Sequence, residues 1–393
     1  MGYRPLGECI ESVIDHRGLT PKKLGGDWSQ FGYRALSAKN VKNGALVQED
    51  AMNRVSNEMY HRWMPEEVER GDVFITSEAP FGEVLYWDSD EKLVLSQRVF
   101  GLKVNRDICD SRYLYYWMQS PFFQGELRGR ATGTTVVGLR QPELLRCTVK
   151  LPARDIQTAI AHVLGAIDSK ITLNKQINGY LAVQCEAIAE RATGENTVLE
   201  SLCDLVTEKA DCSEADFDTY VSTESLLPNK MGRQIASSLP QTGKVTVYQT
   251  GDILISNIRP YFKKIWYADQ AGTCSGDVLV FRAKQPEWAS YLYSCLRNDS
   301  FFDFVMKGAK GTKMPRGDKK QMLTYEVSAS PNQLVIGFMA LALKHISTAN
   351  KESEHLAALR DALLPKLMSG EVDVSKVNLT QLNSHLSGRR VPC

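Results

Sequence analysis

The sequence predicts an α/β (α+β) chain. It has two globular regions in pseudo-twofold arrangement, separated by a pair of long antiparallel coiled-coil helices. Two observations predict this. The first is a narrow apolar seam near the middle of the chain, over residues 151–193. Steps of three and four residues from Ile156 pass through Ile160, Val163, Ile167, Lys170, Asn174, Ile177, Leu181, Gln184 and Ile188. That stripe suits one partner helix rather than a whole core. The second observation is an internal repeat, which supplies the partner.

The repeat runs through matched landmarks. Leu6-Gly-Glu-Cys-Ile resembles Leu199-Glu-Ser-Leu-Cys, and Gly71-Asp-Val-Phe-Ile-Thr resembles Gly251-Asp-Ile-Leu-Ile-Ser. The run from Phe100, after Ser96-Gln97, matches the run from Val278, after Ser275-Gly276. Arg112-Tyr-Leu-Tyr-Tyr matches Ser290-Tyr-Leu-Tyr-Ser, Pro121-Phe-Phe matches Ser300-Phe-Phe, and Arg130-Ala-Thr-Gly-Thr-Thr matches Gly308-Ala-Lys-Gly-Thr-Lys. Leu151-Pro and Ser330-Pro each precede a helical pattern. The chain therefore divides into a globular region over 1–150, a helix within 151–196, a second globular region over 197–329, a helix within 330–371 and a polar tail over 372–393. Short strand-like runs broken by Gly, Pro, Asn and Asp make both globular regions mixed.

The second helical pattern runs over 332–364, with seam positions Phe338, Ala342, Ala349, Leu356, Leu359 and Leu363. It softens to polar residues in its middle, from His345 to Glu352, as the first does at Lys170 and Asn174. Polar seam residues cost stability but fix register. Pro365 is expected to stop the second helix, because it lacks an N–H and clashes with the preceding turn.

Composition excludes several classes. Hydrophobic and charged fractions of 43% and 24%, with a net charge of +1, are those of an ordinary soluble globular protein. No apolar run reaches membrane-spanning length, and the start, MGYRPLGECIESVID, lacks a signal-peptide core. Nine scattered cysteines, none in a Cys-x-x-Cys pair, fit reduced thiols and a cytoplasmic location. There is no phosphate-binding Gly-rich loop followed by Lys-Ser/Thr, no His-Glu-x-x-His and no Gly-x-Ser-x-Gly. The chain is therefore expected to be non-catalytic and to hold no metal.

The loops carry more chemistry. Residues 307–320 hold Lys310, Gly311, Thr312, Lys313 and Arg316 in a basic, Gly-rich stretch, and its repeat counterpart holds Arg128, Arg130, Thr132, Gly133, Thr134, Thr135 and Arg140. A second basic cluster with interleaved aromatics contains Asn257, Arg259, Tyr261 and Lys263. Lys and Arg neutralise phosphates, while hydroxyls and backbone N–H groups donate to phosphate or base edges. These residues are the candidate DNA contacts.

Two stretches resemble a known family. Ala166-Ile-Asp-Ser-Lys-Ile-Thr-Leu-Asn-Lys-Gln-Ile-Asn178 resembles the central conserved region of type I restriction–modification specificity subunits. Leu359-Arg-Asp-Ala-Leu-Leu-Pro-Lys-Leu-Met-Ser-Gly-Glu371 resembles their distal conserved region. The resemblance implies two target-recognition domains, each reading one half of a split double-stranded DNA target, with the helix pair setting the half-site spacing. It also implies docking of two modification (methyltransferase) subunits and of restriction (motor/nuclease) subunits. S-adenosylmethionine, ATP and magnesium would then be used by those partners and not by this chain. A protein-bridging coiled-coil adaptor without DNA readout is the alternative from the residues alone.

Overall fold

The computed structural model describes residues 2–133, 137–192, 194–329 and 332–374. It divides into two compact units. One holds the residues up to Ile171 together with those from Glu354 onward, and the other is Thr172–Ser353.

The first unit is built on an antiparallel four-stranded sheet. Its strands are β1 (Ile10–Asp15), β2 (Val73–Thr76), β3 (Val84–Tyr86) and β4 (Val99–Val104), in the order β1-β4-β2-β3. Phe100 faces Ile75 and Leu102 faces Val73 across the central pair, and all four are fully buried. Helices α1 (Ser111–Gln119) and α2 (Pro121–Arg130) follow. Asp110 accepts hydrogen bonds from the Arg112 and Tyr113 backbone N–H groups, and Ser120 accepts one from Phe123 N–H. Each satisfies donors that a helix start leaves unpaired. The aromatic run of α1 is buried from Tyr113 to Met118 against this sheet's core.

Helix α3 is Arg154–Glu190, 37 residues long. The second unit repeats the sheet with β5 (Cys203–Leu205), β6 (Ile253–Ser256), β7 (Ile265–Tyr267) and β8 (Val278–Ala283), in the order β5-β8-β6-β7. Leu279 faces Ile255 and Phe281 faces Ile253. Helices α4 (Ala289–Arg297) and α5 (Asp299–Gly308) follow, the latter capped by Asn298. The repeat read in the sequence is thus a repeat of strand order, register and helix placement.

Helix α6, Gln333–Ser369, is also 37 residues long and contains Pro365. The expected stop at Pro365 is corrected. Proline removes one intrahelical donor, but Leu364, Leu367 and Met368 on either side are buried in the first unit's core with Ile160, Val163 and Leu164 of α3. Burying those side chains, at roughly 1.5–3 kcal/mol each, outweighs one lost hydrogen bond. The helix ends instead at Gly370, whose φ of 82° suits a residue without Cβ. Lys150 Nζ donates to the terminal carbonyls of Met368 and Ser369, at 3.3 and 2.7 Å.

Within each unit the two long helices pack antiparallel. In the first, Arg360 pairs with Asp168 at 3.0 Å, and the Tyr116 hydroxyl donates to the same carboxylate at 2.6 Å. In the second, Asn174 Nδ2 donates to Ala349 O, Glu352 Oε2 and Ser353 Oγ, at 3.3, 2.7 and 3.2 Å. Asn178 Nδ2 donates to Asn350 Oδ1 at 2.9 Å. Ile160, Val163, Ile167, Ala342 and Ala349 are buried, while Ile156, Ile177, Leu181, Leu356 and Leu363 are half-buried. Two expected seam residues lie elsewhere: Phe338 and Leu359 are 41% and 45% exposed. Ile336, Met339 and Leu343 are buried instead. The steps through Phe338 and Leu359 drift off the true stripe, because a straight helix turns by 3.6 residues and not 3.5. His345 is exposed, so the polar middle of the pair centres on Asn174 and Asn178.

Candidate nucleic-acid interface

In both units the end of the central strand meets the Gly-rich loop in the same way. In the first unit, Thr132 and Gly138 exchange two backbone hydrogen bonds of 2.9 Å, closing the loop between them. Leu139 N–H then donates to Ser77 O, and Ser77 N–H donates to Arg98 O. In the second unit, Lys310 and Arg316 exchange the same pair, again at 2.9 Å. Gly317 N–H donates to Asn257 O, and Asn257 N–H donates to Asp277 O. Each loop begins with a left-handed glycine, Gly133 at φ 114° and Gly311 at φ 98°. A Cβ would disfavour that turn. Ala79 and Arg259, each just before a proline, share positive φ values of 43° and 51°.

The second unit brings its two basic clusters together. Arg259 N–H donates to Pro315 O at 2.8 Å, and Ile258 bridges to Arg316. Arg259, Thr312 and Lys313 are exposed and make no ion pair among the described residues. Tyr261 is exposed and packs its ring on Phe262, 4.6 Å between centroids. The other candidates are engaged within the fold. Lys263 and Lys230 share Asp299 at 3.0 and 2.8 Å, holding that carboxyl below its usual range. Lys310 pairs with Asp318 at 3.0 Å, and Arg316 pairs with Asp277 at 3.2 Å. Lys310, ahead of the Gln321 and Lys320 backbone N–H groups, lowers the Asp318 pKa. Asn257 is buried, and its backbone ties the loop to the sheet.

In the first unit, Arg128, Thr132, Gly133 and Arg140 are exposed. Arg130 is committed to Glu126 and Glu143, at 2.8 and 3.4 Å. Thr134 and Thr135 lie outside the described residues. Composition could not distinguish Arg130 from Arg128, since only the fold places carboxylates beside one of them.

Sequence reasoning missed two arginines here. Arg17 grips Asp15 through two hydrogen bonds, stacks 3.8 Å over Phe100, and donates to Leu139 O at 3.1 Å, so it buttresses the loop. Arg98 pairs with Glu78 at 3.0 Å beside that loop. The repeat reaches Ser96-Gln97, and extending the match by one residue would have singled out Arg98. Arg98 also borders a recess of about 200 Å³ lined by Trp28, Trp63, Lys39 and Gln97. Among the described residues no cluster of three or more His, Cys, Asp or Glu is placed to hold a metal, and no helix is long and apolar enough to cross a membrane.

Each unit thus carries one copy of the same sheet and the same loop closure. Comparison with known proteins shows what the chain is similar to. The model for the type I restriction modification DNA specificity domain matches residues 4–181. The type I restriction enzyme MjaVIII specificity subunit of Methanocaldococcus jannaschii is 25% identical over 155 residues, which are 38% of this chain and 36% of that protein. The match thus spans about a third of the relative's length. The S subunit of a type I restriction–modification system from M. genitalium has the same fold, with a TM-score of 0.54 at 15% identity over 93% of this chain and 95% of that one. The HsdS subunit from Thermoanaerobacter tengcongensis aligns over 94% and 97% of the two chains at 15% identity, with a TM-score of 0.37. Residues 4–181 are thus similar to the type I restriction modification DNA specificity domain, a match over less than half of the chain.

Proposed function

We propose that this chain is the sequence-specific DNA-binding specificity subunit of a type I restriction–modification enzyme. Each unit reads one half of a bipartite target, and the helix pair fixes the spacing between the halves. One observation carries the reading: the same closed, left-handed-glycine loop follows the same sheet in both units, and each copy presents cations to solvent. Arg128 and Arg140 do so in one unit, and Arg259 and Lys313 in the other. Such side chains suit phosphates, and the loop backbone suits close approach to a duplex. The chain itself contributes no chemistry. Two methyltransferase subunits dock on the helices and use S-adenosylmethionine, and restriction subunits use ATP and magnesium, all in the cytoplasm.

The test is a salt titration of duplex binding with the methyltransferase partner present. Logarithmic affinity should fall steeply and linearly with logarithmic salt, because phosphate contacts release counterions. Absence of binding at low salt would sink the reading in favour of a protein-bridging adaptor. Mapping the methylated adenines in a host genome would give the target itself. Inserting one helical turn at matched positions near Asn174 and Ala349 should lengthen the accepted spacer.

A further inference from the structure

We infer that Arg98 and Arg316 are the base-reading residues of the two units, each taking a guanine. This inference rests on the DNA-reading function proposed above. The two arginines occupy different positions on one equivalent frame. Arg98 and Asp277 correspond, because each accepts through its carbonyl the N–H of the residue following the central strand, Ser77 or Asn257. Gly138 and Arg316 correspond, because each closes its loop by exchanging two backbone hydrogen bonds, with Thr132 or Lys310. In the first unit the arginine stands on the sheet side, and the loop side is glycine. In the second unit the arginine stands on the loop side, and the sheet side is aspartate. Both arrangements produce one arginine–carboxylate pair at the same ridge: Arg98 Nε to Glu78 at 3.0 Å, and Arg316 Nη2 to Asp277 at 3.2 Å.

Two observations separate these two from the neighbouring paired arginines, Arg17 and Arg130. Their side chains are about half exposed, 48% and 55%, although each is paired. Each guanidinium pairs with one carboxylate, and no second carboxylate or carbonyl holds it among the described residues. The neighbouring arginines differ: Arg17 gives two nitrogens to Asp15 and a third to a carbonyl, and Arg130 is held by two carboxylates. Arg98 also sits at φ 65°, a backbone conformation that L side chains rarely adopt and that fixes where the arginine starts. A guanidinium held by a single carboxylate is pre-oriented, and its outward donors match guanine O6 and N7 in the major groove. Glu78 and Asp277 are the positioning residues. Moving the arginine between sheet and loop sides of one frame shifts which base step it reaches, so one fold can read two different half-sites.

The test uses the full chain with its methyltransferase partner and a library of randomised duplexes selected by binding. The unaltered complex defines the two half-sites. Arg98→Ala should abolish the preference for guanine at one position of one half-site, about a 10- to 100-fold loss of discrimination there. The other half-site should be unchanged. Arg316→Ala should do the same in the other half. Arg98→Lys and Arg316→Lys keep the charge without the fork and should lose the same discrimination, which separates base reading from a phosphate contact. Glu78→Gln should weaken it less. A target unchanged in both alanine variants, a uniform loss across all sequences, or full retention by the lysine variants would each overturn the inference while leaving DNA recognition standing. An unaltered complex that selects no sequence would overturn DNA recognition itself and this inference with it. Thermal melting of each variant identifies any that fails to fold, and in that case the lysine variant decides.

Discussion

The two units set up the same turn before their central strand and stabilise it differently. In the first, Asp72 N–H donates to Glu69 O, Trp87 N–H donates to Asp72 O, and the Asp72 carboxylate accepts Glu69 N–H at 2.8 Å. In the second, Asp252, Gln249 and Ala268 make the same three bonds, the carboxylate again at 2.8 Å. Asp72 and Asp252 are 3% and 1% exposed. They differ in the cation on the neighbouring strand. Arg282 clamps Asp252 with two hydrogen bonds of 2.8 and 2.7 Å, whereas Lys103 stands 3.8 Å from Asp72 and lies closer to Glu69, at 3.2 Å. A fork compensates a buried charge better than a point charge at the edge of contact. Burial accordingly pushes Asp72 up to about 6, against the smaller lowering by the Glu69 backbone N–H and Lys103. A repeated backbone frame does not fix the electrostatics built on it.

The largest effect expected from that difference is at Arg282. Arg282→Ala leaves a buried carboxylate with little compensation and should destabilise the second unit by about 3 kcal/mol. Lys103→Ala should cost the first unit less than about 1 kcal/mol, since Asp72 can take a proton. Urea unfolding with hydrogen exchange resolved by unit would measure both, and equal losses would break the comparison.

Next in size is the pH response of the first unit. With Asp72 raised from its ordinary 3.8 to about 6, the folded state holds more protons than the unfolded one between those values. Stability of the first unit should therefore fall as pH rises from about 4 to about 6, by about 2–3 kcal/mol, and then level off. This is opposite to a salt-bridged carboxylate. Asp72→Asn should remove the slope and stabilise the unit at neutral pH; a slope that survives the substitution would assign it to another group.

The helix pair offers a second contrast, since its Asn174 stands in for apolar seam. Asn174→Ala removes donation to Glu352, Ser353 and Ala349 and should cost about 1–2 kcal/mol. Asn174→Leu should restore or raise stability and lose the fixed register, seen as doubled amide resonances along the helices. The smallest effect concerns the loops. Lys313→Ala should leave unfolding unchanged and lower the salt slope of DNA binding by about 1, whereas a loss of folding stability would make Lys313 structural.

Much of this molecule was legible in the sequence. Heptad stepping found both long helices, since a narrow stripe on a 3.6-residue period has few other uses. The repeat from Gly71 and Gly251 found two globular regions of mixed strand and helix with matched landmarks, because turn residues and short apolar runs are local signals, while their shared strand order emerged only in the structure. The Gly-Thr loops were legible for the same reason: a left-handed turn needs glycine. The sequence did not show that Pro365 would be carried through a helix by Leu367 and Met368, because their burial depends on Ile160 and Leu164, about two hundred residues away. Phe338 and Leu359 fell outside the seam because stepping by three and four residues follows a 3.5-residue period, and single steps can miss the stripe of a 3.6-residue helix. Which basic residue is spoken for and which is free was decided by tertiary structure alone. Arg130 and Arg128 are alike in sequence, and only folding brings Glu126 and Glu143 to one of them. Arg98 lies twenty residues from Glu78, and Arg316 still farther from Asp277. Periodicity and turn chemistry act over a few residues and set the frame. Charge pairing acts through space, so the sheet and its loop had to close before these pairs could form.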